Sequence, residues 1–136
     1  MEVFRMPVEL SFDSDCGVFG SCNGTVTGQE LIDANDIIYS DEHIHQMAYQ
    51  LWDFTGAERF NISNKKIHRI ADQDVWGAKI NPHFVVAVVG DDDLIIGLAR
   101  MWENITESKE RSFESKVFRS IEEANKWINS KGNQSA

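Results

Sequence analysis

The seven residues from Phe84 to Gly90, "FVVAVVG", contain no polar side chain, and four of them are valine. Crossing a bilayer takes about 20 apolar residues, so this run is far too short to span one. Its β-branched side chains lose rotamer freedom in a helix and fit a pleated surface. The run therefore reads as a strand covered on both faces, and it is expected at the centre of a parallel sheet. Such a strand needs helices to cover it.

The flanking sequence supplies them. "PVELSFDS" alternates Val8, Leu10 and Phe12 with Glu9 and Ser11, the period of a half-buried strand. "GVFGSCNGTVT" reads as a second strand, with Gly17, Gly20 and Gly24 at turns or bulges, and the two make a hairpin. At Thr27 the period changes: Thr27 and Glu30 have capping-box spacing, and Leu31, Ala34, Asn35 and Ile38 share one helical face. "SDEHIHQ" is a polar break, and "MAYQLWDFT" is a strand closed by Thr55 and Gly56. Between Ser63 and Ala78, residues Ile67, Ile70, Ala71, Val75 and Ala78 form the stripe of a second helix, which ends before Asn81 and Pro82.

After the valine run, "DDDLIIGLARMWENIT" gathers Leu94, Ile95, Leu98, Met101, Trp102 and Ile105 on one face, behind three aspartates at the positive end of the helix dipole. "FESKVFRS" is a last short strand. The final helix has Ser120 and Glu123 at capping-box spacing and buries Ile121, Ala124 and Ile128, with a tail from Gly132 to Ala136 expected to fray. The order β-β-α-β-α-β-α-β-α predicts an α/β fold with a mostly parallel central sheet and an N-terminal hairpin. It is expected as one domain over residues 1–136, with its core at about 8–130.

A chain of 136 residues can bury roughly 65 to 70% of its unfolded surface without staples. The two cysteines, Cys16 and Cys22, have neither a second pair nor a histidine at zinc-motif spacing and read as free thiols. Glu2, Arg5, Glu9, Asp13 and Asp15 break up any signal-peptide core in the first eighteen residues, so the expected location is the cytoplasm. The net charge of −9 repels phosphate backbones and anionic lipid, and the only basic cluster, Lys65, Lys66, His68 and Arg69, is small. Nucleic-acid and membrane partners are therefore not expected.

The hairpin start, the strand ending "WDFT", the strand "VVAVVG" and the closing "VFRSIEEANKWI" resemble the SpoIIAA-like branch of the STAS superfamily, the sulfate-transporter and anti-sigma-factor-antagonist domains. The likeness covers about residues 8–130 and is one of pattern and order. In phosphorylated members of that superfamily the strand matching "YQLWDFT" leads to an Asp-Ser-Ser-Gly-type segment, where a phosphoserine controls binding to a kinase-like partner. The matching segment here reads Asn61, Ile62, Ser63, Asn64, so Ser63 corresponds in role only. The resemblance implies a non-catalytic module that works through protein contacts.

Ser63 has two readings: an N-cap whose hydroxyl accepts a backbone N–H, and a phosphorylation site favoured by the helix dipole, Lys65 and Lys66. Asp91, Asp92 and Asp93 follow a strand's C-terminal end, where they can cap the next helix or hold Mg²⁺. His43 and His45 would point the same way in an extended segment and could chelate a metal, although no third ligand is evident. No serine sits in a nucleophile-elbow context and neither cysteine has a nearby histidine in sequence. Trp76 lies opposite its helix's apolar stripe, beside Arg69, while Ile96 and Ile37 fall off theirs. These four are the candidate contacts for a protein partner, a second copy or a small apolar ligand. The expected function is thus a binding or regulatory module without a cofactor; the alternative is a metal-dependent enzyme or metal-binding protein using Asp91 to Asp93 or His43 and His45.

Overall fold

The computed structural model describes residues 6–134. The elements run β1 (Val8–Phe12), β2 (Gly17–Thr27), α1 (Gly28–Ile38), α2 (Asp41–Ile44), β3 (Tyr49–Asn61), α3 (Asn64–Ile80), β4 (Val85–Val89), α4 (Asp93–Ser108), β5 (Glu114–Phe118) and α5 (Ile121–Gln134). Side-chain caps mark several switches from extended to helical backbone. Thr27 accepts from Glu30 N while the Glu30 carboxylate accepts from Thr27 N, closing the expected capping box. Ser63 accepts from Lys66 N, and Asp92 from Ile95 N. At the far end of α3 the buried Asn81 donates to the carbonyls of Ile44 and Met47, both at 2.8 Å, which ties the helix exit to the α2–β3 turn.

The five strands form one sheet in the order β1-β2-β3-β4-β5, antiparallel between β1 and β2 and parallel throughout the rest. The hairpin and the mostly parallel sheet are those the sequence predicted. Because successive parallel strands step in one direction, crossovers of common handedness place α1, α3 and α4 on the same face. There they pack on one another and cover Val18, Cys22, Trp52, Phe54, Val86 and Val88. The last helix, α5, covers the opposite face over Leu51, Ala87, Val89 and Phe118. The valine run is thus sheathed on both sides, as predicted, but β3 rather than β4 is the middle strand.

Four further expectations change. The strand expected to close at Gly56 continues to Asn61, carried past Gly56 by two register shifts against β2, while β4 pairs only with Tyr49 to Asp53. The outer halves of β2 and β3 therefore project beyond β4 as a two-stranded ribbon. The polar break contains the short helix α2, and α5 continues through Gly132 to Gln134, the rest of the expected frayed tail lying outside the described residues.

The fourth change is a rotation of α4. Leu94, expected in the core, is 59% exposed, whereas Ile96, expected outside, is 9% exposed. Ile95 sets the angle. A Cβ placed on Gly90 would lie 2.2 Å from Ile95 Cγ2, so the helix seats Ile95 over bare backbone at the end of β4. With Ile95 there, Ile96, Ala99 and Thr106 turn inward and Leu94 turns out.

Candidate functional site

A cavity of about 90 Å³ lies between the helix layer and the sheet, over the paired stretch of β3 and β4 and the start of the part of β3 that runs past β4. Its floor is Gln50, Trp52 and Phe54 of β3 with Val86 and Val88 of β4; its roof comes from α1, α3 and α4. Phe60, Ile62, Ile70 and Leu98, only partly buried, form the remaining wall. Trp52 can lie flat across the floor because its β2 neighbour is Gly20, where a Cβ would stand 2.6 Å from the indole ring. The aromatic side continues from Trp52 to Phe54 and Phe60, with ring centroids 6.2 Å and 5.9 Å apart in turn.

One charged group lines this apolar space. Asp74 of α3 is 4% exposed and carries no ion pair among the described residues. Its Oδ1 accepts from the Tyr39 hydroxyl at 2.6 Å and from Asn35 Nδ2 at 3.2 Å, and its Oδ2 accepts from Trp102 Nε1 at 2.8 Å. The chain of bonds extends across the floor: Gln50 Nε2 donates to the Tyr39 oxygen, and Trp52 Nε1 donates to Gln50 Oε1, each at 2.9 Å. Burial pushes the Asp74 carboxyl up to about 6, against the three donors that favour its charged form. Burial, followed by the charge and hydrogen bond of Asp74, pushes the Tyr39 hydroxyl well above its ordinary value of 10, so it remains a donor. The lining residues include no serine, threonine, cysteine, lysine or histidine, hence no nucleophile that Asp74 could activate.

The residues singled out in the sequence lie elsewhere, except for Ile96, which is buried in the same core cluster. Its position removes it as an outer contact. Trp76 and Ile37 are 53% and 51% exposed on α3 and α1, and Arg69 is exposed on the same side of α3 as Trp76. Ser63 is exposed and caps α3. Lys66 reaches across to Gln29 Oε1 at 2.6 Å. Asp92 caps α4, Asp93 pairs with Arg119 at 2.9 Å, and Asp91 is exposed. His43 stacks on Phe12 with centroids 3.8 Å apart and is held in helix α2, so it does not share a direction with His45 as an extended segment would require. Among the described residues no three His, Cys, Asp or Glu side chains come together as a metal site would need.

Asp74, Tyr39 and Gln50 had no part in the sequence-based site. A signal existed for the first: Asp74 interrupts the very stripe formed by Ile67, Ala71, Val75 and Ala78, and a carboxylate on a buried face must find partners.

No family model matches this sequence, and no curated protein matches it. Among solved structures it is similar to the anti-sigma factor antagonist SpoIIAA in its unphosphorylated form, with a TM-score of 0.61 and 9% identity over 90% of this chain and 96% of that one. It is also similar to an uncharacterized protein of the DUF3478 family with a SpoIIAA-like fold from Shewanella loihica PV-4, at a TM-score of 0.48 and 16% identity, covering 89% of this chain and 91% of that one. The fold is SpoIIAA-like, as the order of elements in the sequence predicted.

Proposed function

We propose that this chain is a non-catalytic binding module that holds a small, largely apolar molecule between its helical layer and its sheet. The observation that carries this reading is the cavity, walled by aromatic and aliphatic side chains and ending on a single hydrogen-bonded carboxylate. Ligand sites commonly pair apolar walls with a few fixed polar groups. The absence of a nucleophile from the lining separates it from an acyl- or group-transfer site. Benzene and xenon report occupancy of dry cavities. Xenon pressure should shift the methyl signals of Val88, Ile95 and Leu98 in NMR spectra and leave Val8 and Ile121, outside the cavity lining, unmoved. Uniform insensitivity would remove the reading.

Protein contact on the outer helical surface is the second part of the proposal. The similar solved structure is an anti-sigma factor antagonist, and here Trp76, Ile37 and Ile80 are exposed on α3 and α1, with Arg69 also on the surface of α3. Ser63 is the proposed control point, since a phosphate there would sit at the N-terminus of α3 next to Lys65 and Lys66. Mass spectrometry of the protein from its own host should find phosphate on Ser63. A protein that carries none through growth and stationary phase sinks the switch without touching the cavity.

A further inference from the structure

We infer that the cavity's ligand is a small hydrophobic amine, bound as its ammonium ion with the nitrogen against Asp74 and the hydrocarbon body among Trp52, Phe54 and Trp102. The inference rests on the ligand-site reading above and narrows it to one chemical class.

Charge is the first argument. No lysine, arginine or histidine lines the cavity, and among the described residues Asp74 has no ion pair, so its negative charge is held by hydrogen bonds alone. A carboxylate taken out of water is costly without a cation, and an ammonium ion inside the cavity would offset that cost. An anionic ligand would add a second buried negative charge. A neutral alcohol could donate one hydrogen bond but would leave the charge uncompensated.

Valence is the second. A carboxylate has about four acceptor directions. Two donors reach Asp74 Oδ1 and one reaches Oδ2, which leaves one direction on Oδ2 for a ligand N–H. The walls are the third argument. Trp52, Phe54, Phe60 and Trp102 offer ring faces that attract a cation as well as an alkyl chain. Size completes the description: a water needs roughly 10 to 15 Å³ on the same scale, so about 90 Å³ admits an amine of a few carbon atoms.

The chain has four tryptophans, which makes the test internal. Trp52 and Trp102 line the cavity, Trp76 is on the outer surface, and Trp127 of α5 packs against the opposite face of the sheet. Indole N–H signals are followed by NMR while isobutylamine, isobutanol and isovalerate are titrated separately at neutral pH. Isobutylamine should shift Trp52 and Trp102 alone and bind roughly tenfold or more tightly than isobutanol, the size of a charge-assisted hydrogen bond. Isovalerate should leave all four unmoved. Asp74→Asn should bring the amine to the level of the alcohol. Isobutanol or isovalerate binding as well as the amine overturns the inference, as does undiminished amine binding by Asp74→Asn. The three-probe comparison on the unaltered chain decides the matter even if that variant does not fold. Xenon moving the cavity signals where isobutylamine does not would overturn the amine and keep the ligand site; neither moving them would overturn both.

Discussion

Asp74 is the residue whose chemistry is furthest from ordinary, and its effect on stability has a definite sign. Its carboxyl is raised from 3.8 to about 6 in the folded chain, so between those values the folded state holds the proton that the unfolded state has released. Stability therefore falls as pH rises from about 4 to 6, by ~3 kcal/mol for a shift of this size in a fully buried group. Tyr39 stays protonated throughout, and Asn35, Gln50 and Trp102 do not titrate. Asp13 works in the opposite sense. The Tyr49 hydroxyl and the backbone N–H of Gly17 hold its carboxyl low, so its contribution is present above 3.8 and is lost as pH falls through its lowered value. Asp13 is shared by the parent and an Asp74→Asn variant, so the difference between them isolates Asp74. Urea unfolding of both from pH 4 to 7 should show the parent losing stability relative to the variant. A difference that stays level across that range would contradict the account. Sequence periodicity counts apolar positions, and a carboxylate on a buried stripe enters that count only as a gap. Its partners, Tyr39 and Trp102, are 35 and 28 residues away in the chain, which is why the site was not legible.

The elements were legible where a local rule fixes them and illegible where a neighbour does. The capping box at Thr27 and the cap at Ser63 are local, and both form as spaced. Ser63→Ala should cost about 1 kcal/mol in thermal or urea unfolding, since the Lys66 N–H loses its acceptor. A variant as stable as the parent would mean that the cap adds nothing there. The rotation of α4 is not local. Its sequence carries apolar residues around more than half of the wheel, so Leu94–Leu98–Met101 and Ile95–Ala99–Trp102 are both plausible inner faces; the glycine at position 90 decides between them by giving Ile95 a seat. Ile96→Ala should therefore cost ~2 to 4 kcal/mol and Leu94→Ala less than about 0.5 kcal/mol. A larger loss for Leu94→Ala than for Ile96→Ala would restore the face expected from the sequence. The same reasoning covers β3. Gly56 reads as an end in isolation, but β2 is there to pair with, and the strand continues to Asn61.

At the scale of the whole molecule, the alternation of strands and helices specified the sheet, while the void between β3, β4 and the helical layer depended on how α1, α3 and α4 seat over those strands, which periodicity does not measure. Charge acts at this scale too. Copies of a chain carrying −9 repel one another, and that repulsion extends over roughly 10 Å at 0.1 M salt and roughly 3 Å at 1 M. The proposed contacts on α1 and α3 are apolar side chains, Trp76 and Ile37 chief among them, whose burial gains nothing from added charge screening. Self-association through that surface should therefore strengthen as salt rises, the reverse of an interface held by ion pairs. Sedimentation at about 0.05 M and 0.5 M sodium chloride measures this directly. Trp76→Ala should weaken the high-salt association by roughly 30-fold if the indole is a central anchor, worth ~2 kcal/mol. Its fold should survive, because the side chain is more than half exposed. Association that weakens with salt, or that Trp76→Ala leaves unchanged, would move the contact to a charged part of the surface and take Trp76 out of it.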